Sequence, residues 1–317
     1  PLAVVIDAGA MAQTFGAVAK GLKEYRALPF AGVIANRVAG AGHTRMLANS
    51  LPPEINLLAA LPKAATSFPE RHLGLMQAGE LADLVSMLDG LADLVGETAY
   101  TALPPAVPFA AYKLSTPPRL LAGRRVAVAC DVAFSFLYRA NLDCVAAMGA
   151  ALVFFSPLAD EPVPPAEALY LPGGYPELHA SRLASNRRWL DSMRAFAASE
   201  RPLLAECGGM MVLFDTLTTL DDTAHAMTGL LSGKVTMRSQ LAAIGLQSLT
   251  LSRGELRGHS FHYSQLDTPM VPAWRCVPHG HGAGERVFRQ SSIIASYLHA
   301  YFPSNPAAAA ALLTGTA

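Results

Sequence analysis

The chain has 317 residues, a length that at roughly 100–200 residues per domain predicts two domains with buried cores. Apolar residues make up 52% and charged residues 15%, which excludes an extended disordered chain, and no apolar run reaches the roughly 18 residues that a membrane span requires. Lys plus Arg and Asp plus Glu both number 24, so the formal net charge is zero and nothing draws the chain to nucleic acid or an anionic membrane. Small-molecule partners are the expectation. The four cysteines, Cys130, Cys144, Cys207 and Cys276, form no C-x-x-C pair, which argues against a zinc ribbon or a disulfide framework and for a reducing, cytoplasmic setting.

From Leu2 to about Leu103, short β-rich runs alternate with helical ones: LAVVIDA, MAQTFGAVAKGLKEYR, FAGVIANRV, HTRMLANSL and INLLAALP. This β-α-β-α-β order predicts a parallel sheet with helical crossovers, and the continuous apolar runs predict strands covered on both faces. A helical pattern from about Gly79 to Glu97 places Leu81, Leu84, Val85, Leu88, Leu91, Leu94 and Val95 on a core-facing stripe. The five prolines between residues 103 and 118 predict a linker, dividing the chain into residues 1–103, 104–118 and 119–317. The chain starts at Pro1 with a strand at once, so an earlier start to the natural protein is expected.

A second α/β unit follows, with GRRVAVACD, GAALVFFSP, EALYLPG and RPLLAE as strands and FLYRANLDCVAAM and SNRRWLDSMRAFAAS as helices. Beyond about Gly229 the pattern becomes β-rich up to IIASYLHAYF and a short terminal helix.

Three segments carry chemistry. In Leu203-Leu204-Ala205-Glu206-Cys207-Gly208-Gly209-Met210 a strand runs into a cysteine and two glycines, the cysteine counterpart of a nucleophile elbow. An apolar helix starting there is expected to aim its amides at the sulfur and lower the thiol pKa. A buried structural cysteine is the commoner meaning of this pattern taken alone. The glycine turn Leu171-Pro172-Gly173-Gly174 ends the preceding strand, where open α/β sheets place their sites, and Gly174 and Gly208 are the candidate oxyanion donors. His299, 92 positions beyond Cys207, is the candidate acid/base partner from a late strand. His259 and His262 fall on opposite faces of a strand, so no metal site is assigned, and His279 and His281 read as solvated.

Read in order, Asp131-Val132-Ala133-Phe134-Ser135-Phe136, Tyr138 to Leu142, Phe154-Phe155-Ser156-Pro157-Leu158, LPGGYPELHA, AECGGMM, RGHSFHYS, SYLHAYF and the earlier PERHLGL give nearly the whole chain a resemblance to the cobyrinate or hydrogenobyrinate a,c-diamide synthases. The resemblance implies two α/β domains with mostly parallel sheets. One is a partial P-loop-type synthetase domain and the other a class I, triad-type glutamine amidotransferase domain. It implies ATP- and Mg²⁺-dependent amidation of the a and c carboxylates of a corrin polycarboxylate in cobalamin biosynthesis, with ammonia drawn from glutamine. By the same resemblance Cys207 attacks glutamine, His299 transfers protons, and Gly174 and Gly208 hold the oxyanion.

Departures from the family are specific. No G-x-x-x-x-G-K-[ST] occurs, and about the first quarter to third of the family's length has no counterpart here. Asp7 is then the candidate on the Mg²⁺ side, and Asn36 and Arg37 on the nucleotide side. Tyr301 stands where many class I amidotransferases carry a glutamate, implying a Cys–His dyad oriented by another group. Ser260 replaces the glutamate of the family's Gly-His-Glu segment. The alternatives are a related tetrapyrrole amidoligase such as cobyric acid synthase, an amidoligase of a cell-wall lipid precursor, or a glutaminase-like remnant or binding module without synthetase activity. Oligomeric state is left open, a homodimer included.

Overall fold

The computed structural model describes residues 1–317 other than 66–67, 72–73, 97, 99–105 and 111–115, and only the backbone of 70–71 and 74–75. His72 and Leu73 of PERHLGL, Glu97 of the long helical pattern and half of the proline-rich stretch lie outside the described residues. The chain divides into two compact units, Pro1–Lys113 and Leu114–Ala317. No helix among the described residues is long and apolar enough to cross a membrane.

In the first unit β1 (Leu2–Asp7), α1 (Thr14–Tyr25), β2 (Phe30–Val38), α2 (Ala41–Ser50) and β3 (Leu57–Pro62) alternate as the apolar periodicities predict. The three strands pair in parallel in the order β1-β2-β3, and Asp7 lies opposite Asn36 at their carboxyl ends. Ile6, Phe15, Val33, Val38 and Leu47 form the core. Two short strands, β4 (Glu70–Arg71) and β5 (Gly74–Leu75), precede α3 (Leu84–Gly96).

The long helical stripe needs correction. Ala78–Glu80 form a separate 3₁₀ turn, α3 starts only at Leu84, and none of its residues is buried, Val85 being 71% exposed. The periodicity makes the helix amphipathic, but a helix buries its stripe only under a facing element, and among the described residues α3 adjoins the edge of a three-stranded sheet at β3.

The second unit opens with β6 (Arg125–Ala129), α4 (Arg139–Ala147), β7 (Ala151–Phe155) and β8 (Ala168–Leu171). It continues through α5 (Ala180–Ser185), α6 (Arg187–Ala198), β9 (Leu203–Glu206) and the single turn α7 (Gly208–Met211). The β-rich part comprises β10 (Phe214–Thr218), β11 (Ala224–Ala226), β12 (Leu231–Met237), β13 (Ala243–Leu251), β14 (Gly254–His262) and β15 (Ser264–Asp267). Next come β16 (Trp274–Arg275), β17 (Val277–Pro278), β18 (Arg286–Gln290), β19 (Ile293–Ser296), β20 (His299–Ala300) and α8 (Pro306–Thr314).

The central sheet runs β16-β18-β19-β9-β8-β6-β7, parallel from β19 to β7 and antiparallel at the β18 and β16 edge. Alternate residues of its strands feed two cores. Ala127, Leu169, Leu203 and Ala295 pack with Trp189 and Phe214 on one face, while Val126, Tyr170, Leu204 and Ile294 pack with Phe302 and Leu312 on the other. Covering both faces explains why these strands read as continuous apolar runs. Two further sheets, β11-β10-β12-β15 and β17-β13-β14-β20, complete the unit.

Candidate active site

The site forms at the carboxyl end of the central sheet, where β8, β9 and β19 stop. β9 ends at Glu206, opposite Ser296 of β19, and the Cys207 N–H still donates to the Ser296 carbonyl at 2.8 Å. The ladder then breaks, and Cys207 takes φ 45° and ψ −110°, a left-handed conformation that costs a residue with a side chain about 1–3 kcal/mol. The expected elbow is present, but the helix behind it is only the four residues of α7, too short to build a macrodipole.

Beside it, β8 runs out into Pro172-Gly173-Gly174. Gly174 has φ +158°, and a Cβ there would lie 2.1 Å from the Ala133 carbonyl oxygen, so only glycine fits. A Cβ on Gly208 would meet the Gly174 nitrogen at 3.0 Å, which places the two candidate oxyanion peptides against each other. A Cβ on Gly173 would lie 2.4 Å from Cε1 of His299, so the imidazole rests directly on the same turn. Thus Cys207, Gly174, Gly208 and His299 come together around one glycine turn.

His299 arrives on β20, which pairs with β14 so that His259 faces His299. Their rings stack at 5.1 Å and 17°. Tyr138 meets the edge of His299 at 6.3 Å, Phe136 packs at 5.9 Å, and the Tyr138 hydroxyl lies 3.4 Å from Nε2 of His259. His299 is 2% exposed, and its Nδ1 has no hydrogen-bond partner among the described residues. A cavity of about 430 Å³, lined in part by Phe136, Tyr138, Leu246, His259, Phe261 and His299, opens over the ring.

Electrostatics reverse one expectation. Burial pushes the Cys207 thiol well above its ordinary value, and the Glu177 carboxylate adds to the rise, while the Gly208 N–H, hydrogen-bonded to the sulfur, pulls less strongly the other way. Desolvation therefore outweighs the backbone dipoles that the sequence pattern foregrounds. Burial also lowers His299 to about 3, with His259 and His262 opposing a second positive charge. At neutral pH the pair rests as thiol and neutral imidazole.

Of the other histidines, His262 points to the opposite face of β14 from His259. It stacks on Tyr297 at 3.7 Å and reaches Glu285 with Nε2 at 3.0 Å. His279, expected to be solvated, is exposed but held to the Ser248 hydroxyl at 2.6 Å. Ser260 is fully buried and accepts from the Gln247 amide at 2.7 Å, a contact internal to the β13–β14 pair.

In the first unit Asp7, Asn36 and Arg37 also meet. Arg37 has φ 61°, its N–H donates to the Asn36 side chain at 3.0 Å, and its guanidinium reaches Asp7 at 3.1 Å. The Gly9 N–H, donating at 3.0 Å, and Arg37 hold the Asp7 carboxyl below the usual carboxylate range. A carboxylate already engaged by a guanidinium and an amide does not by itself fit MgATP.

Residues 125–307 match the CobB/CobQ-like glutamine amidotransferase domain, the class of protein that this fold and cysteine turn define. The hydrogenobyrinate a,c-diamide synthase of Stutzerimonas stutzeri (strain A1501) is 50% identical over 316 residues, covering 99% of this chain and 74% of that protein. The cobyrinate a,c-diamide synthase of Herminiimonas arsenicoxydans is 48% identical over 318 residues, covering 99% and 72%. The chain belongs to the cobyrinate and hydrogenobyrinate a,c-diamide synthase family. Among solved structures, a glutamine amidotransferase aligns with TM-score 0.41 at 17% identity over 60% of this chain and 98% of its own.

Cys207, Gly174, Gly208 and His299 are legible in the sequence, whereas the stacking of His259 on His299 and the buried Glu206 and Asn141 side chains that bind the Ala300 backbone are not. For Glu206, in AECGGMM, a carboxylate at the last position of a buried strand is the available signal.

Proposed function

We propose that the second unit hydrolyses glutamine through Cys207 and His299 and supplies ammonia for amidation of the a and c carboxylates of cobyrinate or hydrogenobyrinate in cobalamin biosynthesis. The observation that carries this reading is the convergence of a strained cysteine, two close-packed glycine peptides and a buried neutral histidine on one turn. The Cys207 sulfur attacks the amide carbon of glutamine, and its proton passes to His299. The peptide N–H groups of Gly174 and Gly208 stabilise the oxyanion, a role in which one donor is worth about 10²–10³ in rate. His299 gives the proton to the departing nitrogen, the C–N bond breaks, and ammonia leaves a thioester. Water then adds to the thioester while His299 takes its proton. The expelled thiolate recovers that proton as glutamate leaves. Because the pair rests uncharged, His299 acts as a general base at the moment of attack.

Joining ammonia to a carboxylate requires that the carboxylate be activated, which is the chemistry ATP with Mg²⁺ supplies. Asp7, Asn36 and Arg37 mark the sheet end where such a site belongs in this family, but these residues alone do not fit the nucleotide, so no step is assigned to them. In this reading residues 1–103 belong to the synthetase part and 119–317 to the amidotransferase. The four free cysteines fit a cytoplasmic setting.

The test is ammonia release from glutamine by the chain and by Cys207→Ala, with and without ATP and a corrin polycarboxylate. Release that disappears in the variant, at least 10³-fold in kcat by the usual scale for a lost nucleophile, supports the assignment. Undiminished release by the variant refutes it. A folded chain that releases none favours a remnant or binding module, whereas release accompanied by corrin amidation favours the complete ligase.

A further inference from the structure

Two buried polar side chains that take no part in the proposed chemistry hold the peptide that follows His299. Glu206, 2% exposed, accepts the Ala300 N–H at Oε1 (3.2 Å) and the Tyr170 hydroxyl at Oε2 (2.8 Å). Asn141, 1% exposed, donates through Nδ2 to the Ala300 carbonyl at 2.8 Å, and its Oδ1 accepts the Phe302 N–H at 2.9 Å. The backbone of Ala300 is thus gripped at its N–H by one side chain and at its C=O by the other. Such a grip has work to do, because β20 is two residues long and its ladder with β14 covers only His299 and Ala300.

Among the described residues nothing comparable holds the ring through hydrogen bonds. Nδ1 has no partner among the described residues, and Tyr301 occupies the position two beyond the histidine. The imidazole is confined by contacts alone, with His259 on one side, Tyr138 at the edge and Gly173 beneath. Its placement is then only as good as the placement of its own backbone.

We infer that Glu206 and Asn141 are positioning residues that set His299 for its proton transfers with Cys207, acting through the Ala300 peptide. Glu206 is suited to this because it immediately precedes Cys207, so one side chain ties the strand end that carries the nucleophile to the strand that carries the base. A carboxylate that orients a histidine ordinarily does so at the ring nitrogen; here the orientation is transmitted one residue along the chain. Burial of a carboxyl and a carboxamide is costly unless their hydrogen bonds are made, and here these four hydrogen bonds are made.

This inference rests on the glutaminase reading, and one experiment separates the two. Ammonia release is measured with the full chain for wild type, Cys207→Ala, Glu206→Met, Glu206→Gln and Asn141→Ala, with thermal unfolding of each. Release by Cys207→Ala at the wild-type rate removes the glutaminase reading itself. With that reading intact, Glu206→Met and Asn141→Ala are expected to lower kcat about 10²-fold with KM within about twofold, the scale of a misplaced catalytic group. Glu206→Gln keeps an acceptor for the Ala300 N–H and is expected to retain kcat within about fivefold of wild type, which loss of packing alone would not distinguish from methionine. Folded Glu206→Met or Asn141→Ala with wild-type kcat overturns the inference, as does a rise confined to KM. Should Glu206→Met not fold, Asn141→Ala and Glu206→Gln decide it: a folded Asn141→Ala with wild-type kcat, or a glutamine variant impaired about 10²-fold, overturns it equally.

Discussion

At Cys207 two physical effects compete, and the structure shows which is larger. One backbone N–H directed at the sulfur favours thiolate, while near-complete burial and neighbouring carboxylates favour thiol, and burial prevails. Alkylation of Cys207 by iodoacetamide, followed by peptide mass spectrometry, is therefore expected to be slow at pH 7 and to rise about tenfold per pH unit up to about pH 9. A rate that levels off below pH 8 would mean a preformed thiolate and would contradict the resting state described above. Peptide-level detection matters because Cys130 is exposed and reacts on its own account. The same competition explains why this property was not legible in the sequence. A Cys-Gly-Gly after a strand reveals the turn and the dipole, but the burial that decides the sign comes from the core that Cys207 shares with residues distant in sequence, among them Ala133, Leu171 and Tyr297.

At the level of elements, the β-α-β order of the first unit and the strands of the second follow from local apolar periodicity, so they were readable one segment at a time. The pairing of β20 with β14 was not, since it joins residues 258–259 to 299–300 and alone creates the stack of His259 on His299. The α3 stripe failed for the complementary reason, because periodicity states which face is apolar but not whether an element lies over it. The glycine turn after β8 offers a clean comparison. Gly173 does not have a positive φ, so alanine suits its backbone, but the added methyl would meet the His299 ring at 2.4 Å and the Phe136 ring at 3.2 Å. Side chains give way, so Gly173→Ala is expected to keep its fold, with Tm within about 5 °C, and to lose about 10²-fold in kcat for ammonia release. Gly209→Ala instead drives a methyl to 2.3 Å from the Leu171 carbonyl oxygen, a backbone atom, and is expected to lower Tm by more than Gly173→Ala. Equal loss of stability in both would show that His299 does not rest on this turn.

For the molecule as a whole, the two units have separate cores, so calorimetry is expected to resolve two unfolding transitions whose pH dependences differ. In the second unit burial raises Glu206 from 4.5 to about 8 and lowers His299 from 6.5 to about 3. Between pH 4.5 and 8 the unfolded chain has released the Glu206 proton that the folded chain keeps, so stability from this group is full below 4.5 and falls as pH rises through 8. Between pH 3 and 6.5 the unfolded chain binds a proton at His299 that the folded chain refuses, so stability from this group is full above 6.5 and is lost as pH falls toward 3. The two proton differences are opposite in sign and cancel where the ranges overlap, while His259, also lowered from 6.5 by burial, adds to the rise toward that value, which places this unit's maximum near pH 6.5. Above 6.5 only Glu206 contributes, so Glu206→Gln, which cannot ionise, is expected to flatten the decline of Tm from pH 6.5 to 8 while leaving the acid limb in place. The transition of the first unit, whose Asp7 is exposed and ionised throughout, is expected to stay level over that interval. A decline of equal slope in wild type and Glu206→Gln would show that the buried carboxyl does not set the stability of the unit that carries the cysteine.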